Sequence, residues 1–383
     1  MAIQIGQKLN SKEAFELAIF EARKGLGFVA PNPPVGCVIL DKEDRLLAVG
    51  HHQKFGGAHA EVNAVQSVKD PEKLKGAKVF VTLEPCSHFG KTPPCADLLC
   101  GLPVSEVHFG VKDPNPKVSG RGLEKIQSAG IQIVSAPESV QEELQNLIRV
   151  FWVNQTEQRC FVALKVASTL DAQMALPNGE SQWITGTEAR TQGHILRAHY
   201  GSILTTAKSV LRDNSSLNAR VEPFNEKEIP VFVLDPEGSL ASTLKNLNLS
   251  KVRRPESLFV ITTGAQASRF EGVMASEQIC KMETPQGQFS LKEVLQWVWD
   301  RGGASVMVEA GPNLISQFVS AKTFDQLELF LAPQIFGVAS EMSWSQSLGL
   351  TKMSQALKFQ KVSYQPLGQD LWISATHRSN FSQ

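Results

Sequence analysis

Apolar residues at helical spacing open the chain. Phe15, Ala18, Ile19, Ala22 and Leu26 recur every three or four positions behind Ser11, a fair N-cap, and Gly25 and Gly27 end the run. Apolar runs at 35–40 and 45–50 flank the polar turn Asp41-Lys42-Glu43-Asp44 and predict a hairpin. Helix-like spacing follows from Ala60, then a strand at 79–83, a helix at 96–102 and a strand at 106–111. Leu123, Ile126 and Ala129 mark a helix stopped by Gly130, and 131–134 reads as a strand. The order αββαβαβαβ predicts a sheet layered between helices, with a site at the strand ends. An amphipathic helix at 138–152 precedes the polar stretch 154–159, where we place a boundary, giving a first domain over 8–153.

Strands are predicted beyond it at 160–168, 202–206, 229–235, 257–263, 305–310 and 326–333, with helices near 187–199, 291–301 and 313–321. A final pair near 358–364 and 370–375 completes a mixed α/β domain over 160–378. The 383 residues suit two such domains. Lysine plus arginine equals aspartate plus glutamate at 38 each, so no global field draws nucleic acid or an anionic membrane. Six cysteines are too sparse for a disulfide framework, and no apolar run is long enough to span a bilayer. No basic segment followed by an apolar core stands at the N-terminus, so a cytoplasmic location is expected.

The chemistry concentrates between His59-Ala60-Glu61 and Pro85-Cys86 with Cys95. One imidazole, two thiolates and a non-ligand carboxylate form the donor set of a zinc hydrolytic deaminase. A bound metal would lower the pKa of a water, and Glu61 would move its protons, one to the ring nitrogen and one to the departing ammonia. His59 and Glu61 would share the first turn of a helix, and Cys86 would follow a strand. Zinc deaminases usually read Pro-Cys-x-x-Cys, whereas here Ser87 to Pro94 stand between the cysteines, so a formed loop is expected.

Three weaker signals remain. Asn32 lies between Pro31 and Pro33, either a pinned carboxamide facing a base edge or part of a stiff turn. Glu309-Ala310-Gly311-Pro312 joins an apolar strand to a helix, as a phosphate-binding turn or an ordinary α/β connection. Arg197 and Arg220 could hold a phosphate or be solvated. No full Gly-x-Gly-x-x-Gly follows a strand, which argues against a Rossmann site.

Taken together, these motifs resemble the bifunctional riboflavin-biosynthesis family, a diaminohydroxyphosphoribosylaminopyrimidine deaminase fused to a 5-amino-6-(5-phosphoribosylamino)uracil reductase. Pro31-Asn32-Pro33, His59-Ala60-Glu61, Thr82 to His88 through Cys95, Asp113-Pro114-Asn115-Pro116 and Gly120-Arg121-Gly122 resemble its deaminase half. Ser168 to Asp171, Gly179 to Thr185 and Val308 to Gly311 resemble its reductase half. The resemblance implies an N-terminal cytidine-deaminase-like three-layer domain and a C-terminal dihydrofolate-reductase-like domain that binds NADPH without Rossmann glycines. It implies zinc on His59, Cys86 and Cys95, proton transfer by Glu61, the pyrimidine on Asn32 and His52, and its phosphate end near Lys91 and Asn115. NADPH is expected against Ala167, Trp183, Ser209, Asp213 and the turn Gly311, Pro312, Asn313, Leu314, Ile315, Ser316 and Gln317. The reductase substrate is expected on Ser181, Arg197, Leu217, Arg220 and Glu309, the arginines facing its phosphate. The sequence leaves the oligomeric state open, a homo-oligomer being one outcome because the family often associates.

Two positions depart from the family's pattern. Its Ser-Leu-Asp-Gly is Thr169-Leu170-Asp171-Ala172 here, and Ser215 replaces a proline after Asp213. Ala172 matters if that position requires a positive φ. Two other readings stand beside the main one: a nucleic-acid or nucleoside deaminase with an accessory domain, and an active deaminase whose C-terminal half is a binding or assembly module.

Overall fold

The computed structural model describes residues 4–115, 119–337, 342–346 and 348–377. Pro116, in the turn read at 113–116, and Arg378, at the end of the expected second domain, lie outside them. The chain divides into two compact units, Met1–Gln158 and Arg159–Gln383.

In the first unit the elements are α1 (Ser11–Arg23), β1 (Gly36–Leu40), β2 (Leu46–His51), α2 (Ala60–Gln66), β3 (Lys78–Leu83), α3 (Cys95–Cys100), β4 (Glu106–Val111), α4 (Arg121–Ser128), β5 (Gln132–Ser135), α5 (Glu138–Leu147) and α6 (Arg149–Glu157). The sheet order is β2-β1-β3-β4-β5, antiparallel across β2, β1 and β3 and parallel across β3, β4 and β5. Alternation along the strands sorts the core into two layers. Cys37, Ile39, Val79, Val81 and Val107 pack with Ala60, Ala64, Leu99 and Ile126 from α2, α3 and α4. Val38, Leu40 and Phe80 pack with Phe15, Ala18 and Ile19 of α1 and Val140 and Leu144 of α5. Gly50 lets α2 lie close to the sheet, because a Cβ there would stand 2.3 Å from the Ala64 nitrogen.

Two expectations are corrected. The N-cap of α1 is Asn10, not Ser11: its side chain accepts from the Glu13 N–H while Glu13 reaches back, a reciprocal pair that Ser11 inside the first turn cannot make. The single helix expected at 138–152 breaks at Ile148, whose φ and ψ are −104° and 9°. The second piece, α6, runs to Glu157 through most of the polar stretch 154–159, and the chain divides just after it, between Gln158 and Arg159.

The second unit contains β6 (Phe161–Thr169), α7 (Thr187–Tyr200), β7 (Ile203–Thr206), α8 (Ala207–Asp213), β8 (Val231–Leu234), α9 (Asn248–Lys251), β9 (Leu258–Thr262), β10 (Ile279–Lys281), α10 (Leu291–Asp300), β11 (Ser305–Val308), α11 (Pro312–Ala321), β12 (Gln326–Ala332), β13 (Lys361–Leu367) and β14 (Asp370–Thr376). Its sheet runs β10-β9-β8-β7-β11-β6-β12-β14-β13, parallel except for the terminal β14 and β13. Val162, Leu164, Val166 and Val306 face Leu314, Ile315 and Phe318 of α11 and Val294 and Val298 of α10. Ile203, Val231 and Val233 face Ala198 of α7, Val210 of α8 and Leu249 of α9. Among the described residues, no helix is long and apolar enough to cross a membrane.

Candidate functional site

The first site lies where β3 ends and α2 and α3 begin. His59 is the N-cap residue of α2, Glu61 falls in its first turn, and Cys95 is the first residue of α3. Cys86 follows β3, and its carbonyl accepts from the Ala96 N–H at 3.0 Å. The ligand atoms of His59, Cys86 and Cys95 lie within 4.8 Å of one another. His59 Nδ1 is the converging nitrogen, 3.5 Å from Cys86 Sγ and 3.3 Å from Cys95 Sγ, while Nε2 faces Thr92 Oγ1 at 3.4 Å.

The hydrogen bond from Cys95 holds the Cys86 thiol down at about 4, with His59 adding to the effect against burial. The same bond, together with burial, pushes Cys95 up. Two sulfurs therefore share a proton before one imidazole nitrogen, a donor set that a soft divalent cation satisfies by displacing that proton. Zinc fits these three residues. Glu61 is buried, and burial followed by the nearby Cys86 charge raises its carboxyl.

A 290 Å³ pocket opens on this cluster, and Asn32, His52, Lys91 and Asn115 all line it. His52 Nδ1 lies 2.9 Å from the Ala58 carbonyl and must donate to it, which leaves Nε2 to accept from Asn32 Nδ2 at 3.2 Å. Burial lowers the His52 pKa and keeps that neutral form. The Asn32 carboxamide is therefore held, and not merely part of a stiff turn. Lys91 Nζ lies 4.0 Å from the centre of the Phe55 ring. Sequence reasoning missed Thr92, Phe55 and Glu84 at this site. Glu84 stood inside a quoted motif, but nothing local marks it as buried.

The second site is a 1280 Å³ cavity at the C-terminal ends of β6, β7, β8 and β11. Ala167, Trp183, Ser209, Asp213, Gly311, Pro312, Asn313, Leu314 and Gln317 line it, as do Ser181, Arg197, Leu217, Arg220 and Glu309. Two expected residues turn away. The Ile315 side chain is fully buried among core residues beneath the sheet, and Ser316 donates to the Trp344 carbonyl at 3.0 Å. On a helix, consecutive residues point about 100° apart, so one run cannot all face the cavity. Gly311 caps α11 without a side-chain partner, leaving first-turn amides for a diphosphate, and the volume accommodates a dinucleotide beside a nucleotide substrate. NADPH fits this cleft.

The two arginines are not equivalent. Arg197 is locked to Glu309 by bonds of 2.6 and 2.9 Å and donates to the Asn218 carbonyl at 3.0 Å, whereas Arg220 is exposed. Burial alone would raise Glu309, but Arg197 outweighs it and holds the carboxylate at about 2. Lys165, 3.9 Å from Glu309, is lowered by burial. It was missed, although a lysine in the middle of an apolar strand is a visible signal. Ala172 has φ 63°, so the position where the family usually has glycine does use the left-handed region.

Comparison with known proteins follows this division. A family model for the RibD C-terminal domain matches residues 160–373, and one for the cytidine and deoxycytidylate deaminase zinc-binding region matches 9–111. The riboflavin biosynthesis protein RibD of Aquifex aeolicus is 35% identical over 94% of this chain and 97% of its own length. That of Escherichia coli is 32% identical over 92% and 95%. The structure of Acinetobacter baumannii RibD superposes with a TM-score of 0.79 at 30% identity, covering 96% of this chain and 99% of that one. A Thermotoga maritima structure described as a diaminohydroxyphosphoribosylaminopyrimidine deaminase/5-amino-6-(5-phosphoribosylamino)uracil reductase gives 0.79 at 33% identity, with the same coverage.

Proposed function

Because the chain belongs to the RibD family of bifunctional riboflavin-biosynthesis deaminase–reductases, we propose how its own side chains divide the two reactions. The first unit deaminates the diaminohydroxyphosphoribosylaminopyrimidine named for the Thermotoga relative, and the second reduces the ribosyl group of the product to ribityl. The carrying observation is the convergence of His59 Nδ1 with two sulfurs beside a buried carboxylate.

His59, Cys86 and Cys95 hold zinc, which when bound supplies hydroxide at neutral pH. Glu61 accepts the proton of the attacking water and returns protons to the ring nitrogen and the leaving ammonia. Its raised pKa suits both duties. Asn32, fixed by His52, presents its carboxamide oxygen to the base edge, and Lys91 and Asn115 take the phosphate end. A small pocket and balanced charge favour a free nucleotide over a nucleic acid.

In the second unit NADPH, when bound, would supply hydride to C1 of the ribosyl group as the C1–O bond of the ring opens and the freed oxygen takes a proton from solvent. The chain supplies position. Trp183, Ser209, Asp213 and the Gly311 turn hold the cofactor, and Ser181, Leu217 and Arg220 hold the substrate. Arg220 offers its guanidinium to the phosphate, while Arg197 keeps Glu309 ionised and oriented. A coupled assay of ammonia release and NADPH loss tests the scheme. Glu61→Gln should abolish ammonia release and spare reduction of pre-deaminated substrate. Loss of both activities in the soluble variant, or ammonia release from RNA alone, would refute it.

A further inference from the structure

Glu84 ends the apolar run of β3, two residues before Cys86, and is 3% exposed. A carboxylate buried this far needs partners, and it finds them in main-chain amides brought from a different part of the chain. Oε2 accepts from the Asp113 N–H at 3.3 Å and the Gly120 N–H at 3.0 Å, and Oε1 accepts from the Gly122 N–H at 3.2 Å. Gly120 is the N-cap residue of α4, with φ 83° and no side-chain cap of its own. Glu84 thus supplies from 36 residues away the anion that the start of α4 lacks. The approach is close: a Cβ on Gly122 would stand 2.0 Å from the Pro85 carbonyl oxygen.

The clamp extends toward the pocket. Asp113, one of the residues whose N–H Glu84 holds, accepts from the Asn115 N–H through Oδ1 at 2.8 Å, and Glu84, Asp113 and Asn115 all line the deaminase pocket. We propose that Glu84 is a positioning residue of the deaminase, whose carboxylate clamps Asp113, Gly120 and Gly122 and so sets where Asn115 meets the substrate. The inference rests on the reading of Asn115 as a substrate residue. With its own carboxylate filling the α4 terminus, the protein leaves the nucleotide phosphate to Lys91 and Asn115.

The test uses the full-length zinc-loaded chain and the diaminopyrimidine nucleotide. E84Q keeps the shape but turns an amide NH2 toward a main-chain N–H. KM for deamination should rise about tenfold to a hundredfold, the worth of one charge-assisted hydrogen bond. Turnover at saturation, bound zinc per chain and NADPH oxidation should stay within about threefold of wild type. D113A, which leaves Glu84 in place, should raise KM in the same direction, so a poorly folding E84Q would not shelter the idea. In an N115A background E84Q should add nothing further to KM, because both act through one contact. Fully additive effects, or an E84Q that loses zinc and turnover together at unchanged KM, would mean a purely structural role and overturn the proposal. A raised KM in N115A with wild-type KM in E84Q and D113A would overturn it alone. Wild-type KM in N115A would overturn the substrate-site reading and this inference with it.

Discussion

Ala172→Gly should stabilise the reductase unit. Ala172 sits at φ 63° in the turn after β6, where its N–H donates to the Thr169 carbonyl at 3.0 Å and its carbonyl accepts from the Trp344 N–H at 3.4 Å. Holding an L-residue with a Cβ in this region costs roughly 1–2 kcal/mol. Glycine removes that cost but adds freedom to the unfolded chain, worth about 0.4–1 kcal/mol. The balance is a gain on the order of 0.5–1 kcal/mol, or about 1–4 °C in the Tm of a unit this size. Differential scanning calorimetry of the full chain, following the transition that NADPH shifts, measures it. Ala241→Gly is the control: Ala241 lies in a turn of the same unit without a positive φ, so glycine there should lower Tm. If Ala172→Gly lowered Tm as the control does, the Cβ would be contributing packing rather than strain, and the reasoning would be wrong.

Other outcomes follow from the two sites. Thr92→Ala removes the oxygen facing His59 Nε2, and competition with a chelator should show zinc affinity weakened about tenfold to a hundredfold. Glu309→Gln leaves Arg197 buried beside a neutral partner, and urea melts should show the reductase unit less stable by about 3 kcal/mol or more. Acid should also weaken that unit. Burial holds His194 and His199 at about 4, and Arg197 holds Glu309 at about 2, all below their unfolded values. Each contribution is therefore present above the unfolded pKa and lost on acidification: the histidines from 6.5 toward about 4, Glu309 from 4.5 toward about 2. The urea midpoint should fall between pH 7 and pH 4.5, and His199→Asn should flatten that slope. An unchanged slope would exclude His199 as a contributor.

The family assignment and most elements were legible in the chain because they depend on neighbours in sequence. Continuous apolar runs placed β1, β3 and β4, a histidine, glutamate and two cysteines in order announced the metal chemistry, and an alanine in a glycine slot raised the question that its φ of 63° answers. The three-residue strand β10 was missed because so short a run has no period to read. What the sequence could not supply depends on partners far along the chain. Only the folded structure showed that His59 turns Nδ1 to the sulfurs and that Ile315 and Ser316 leave the cavity their helix lines. It also showed that Arg197 is spoken for by Glu309, 112 residues away, and that Glu84 holds amides up to 38 residues ahead. Local propensity writes the strands and helices, but a buried charge takes its role from whichever distant group desolvates or pairs it, and that is settled only when the layers close.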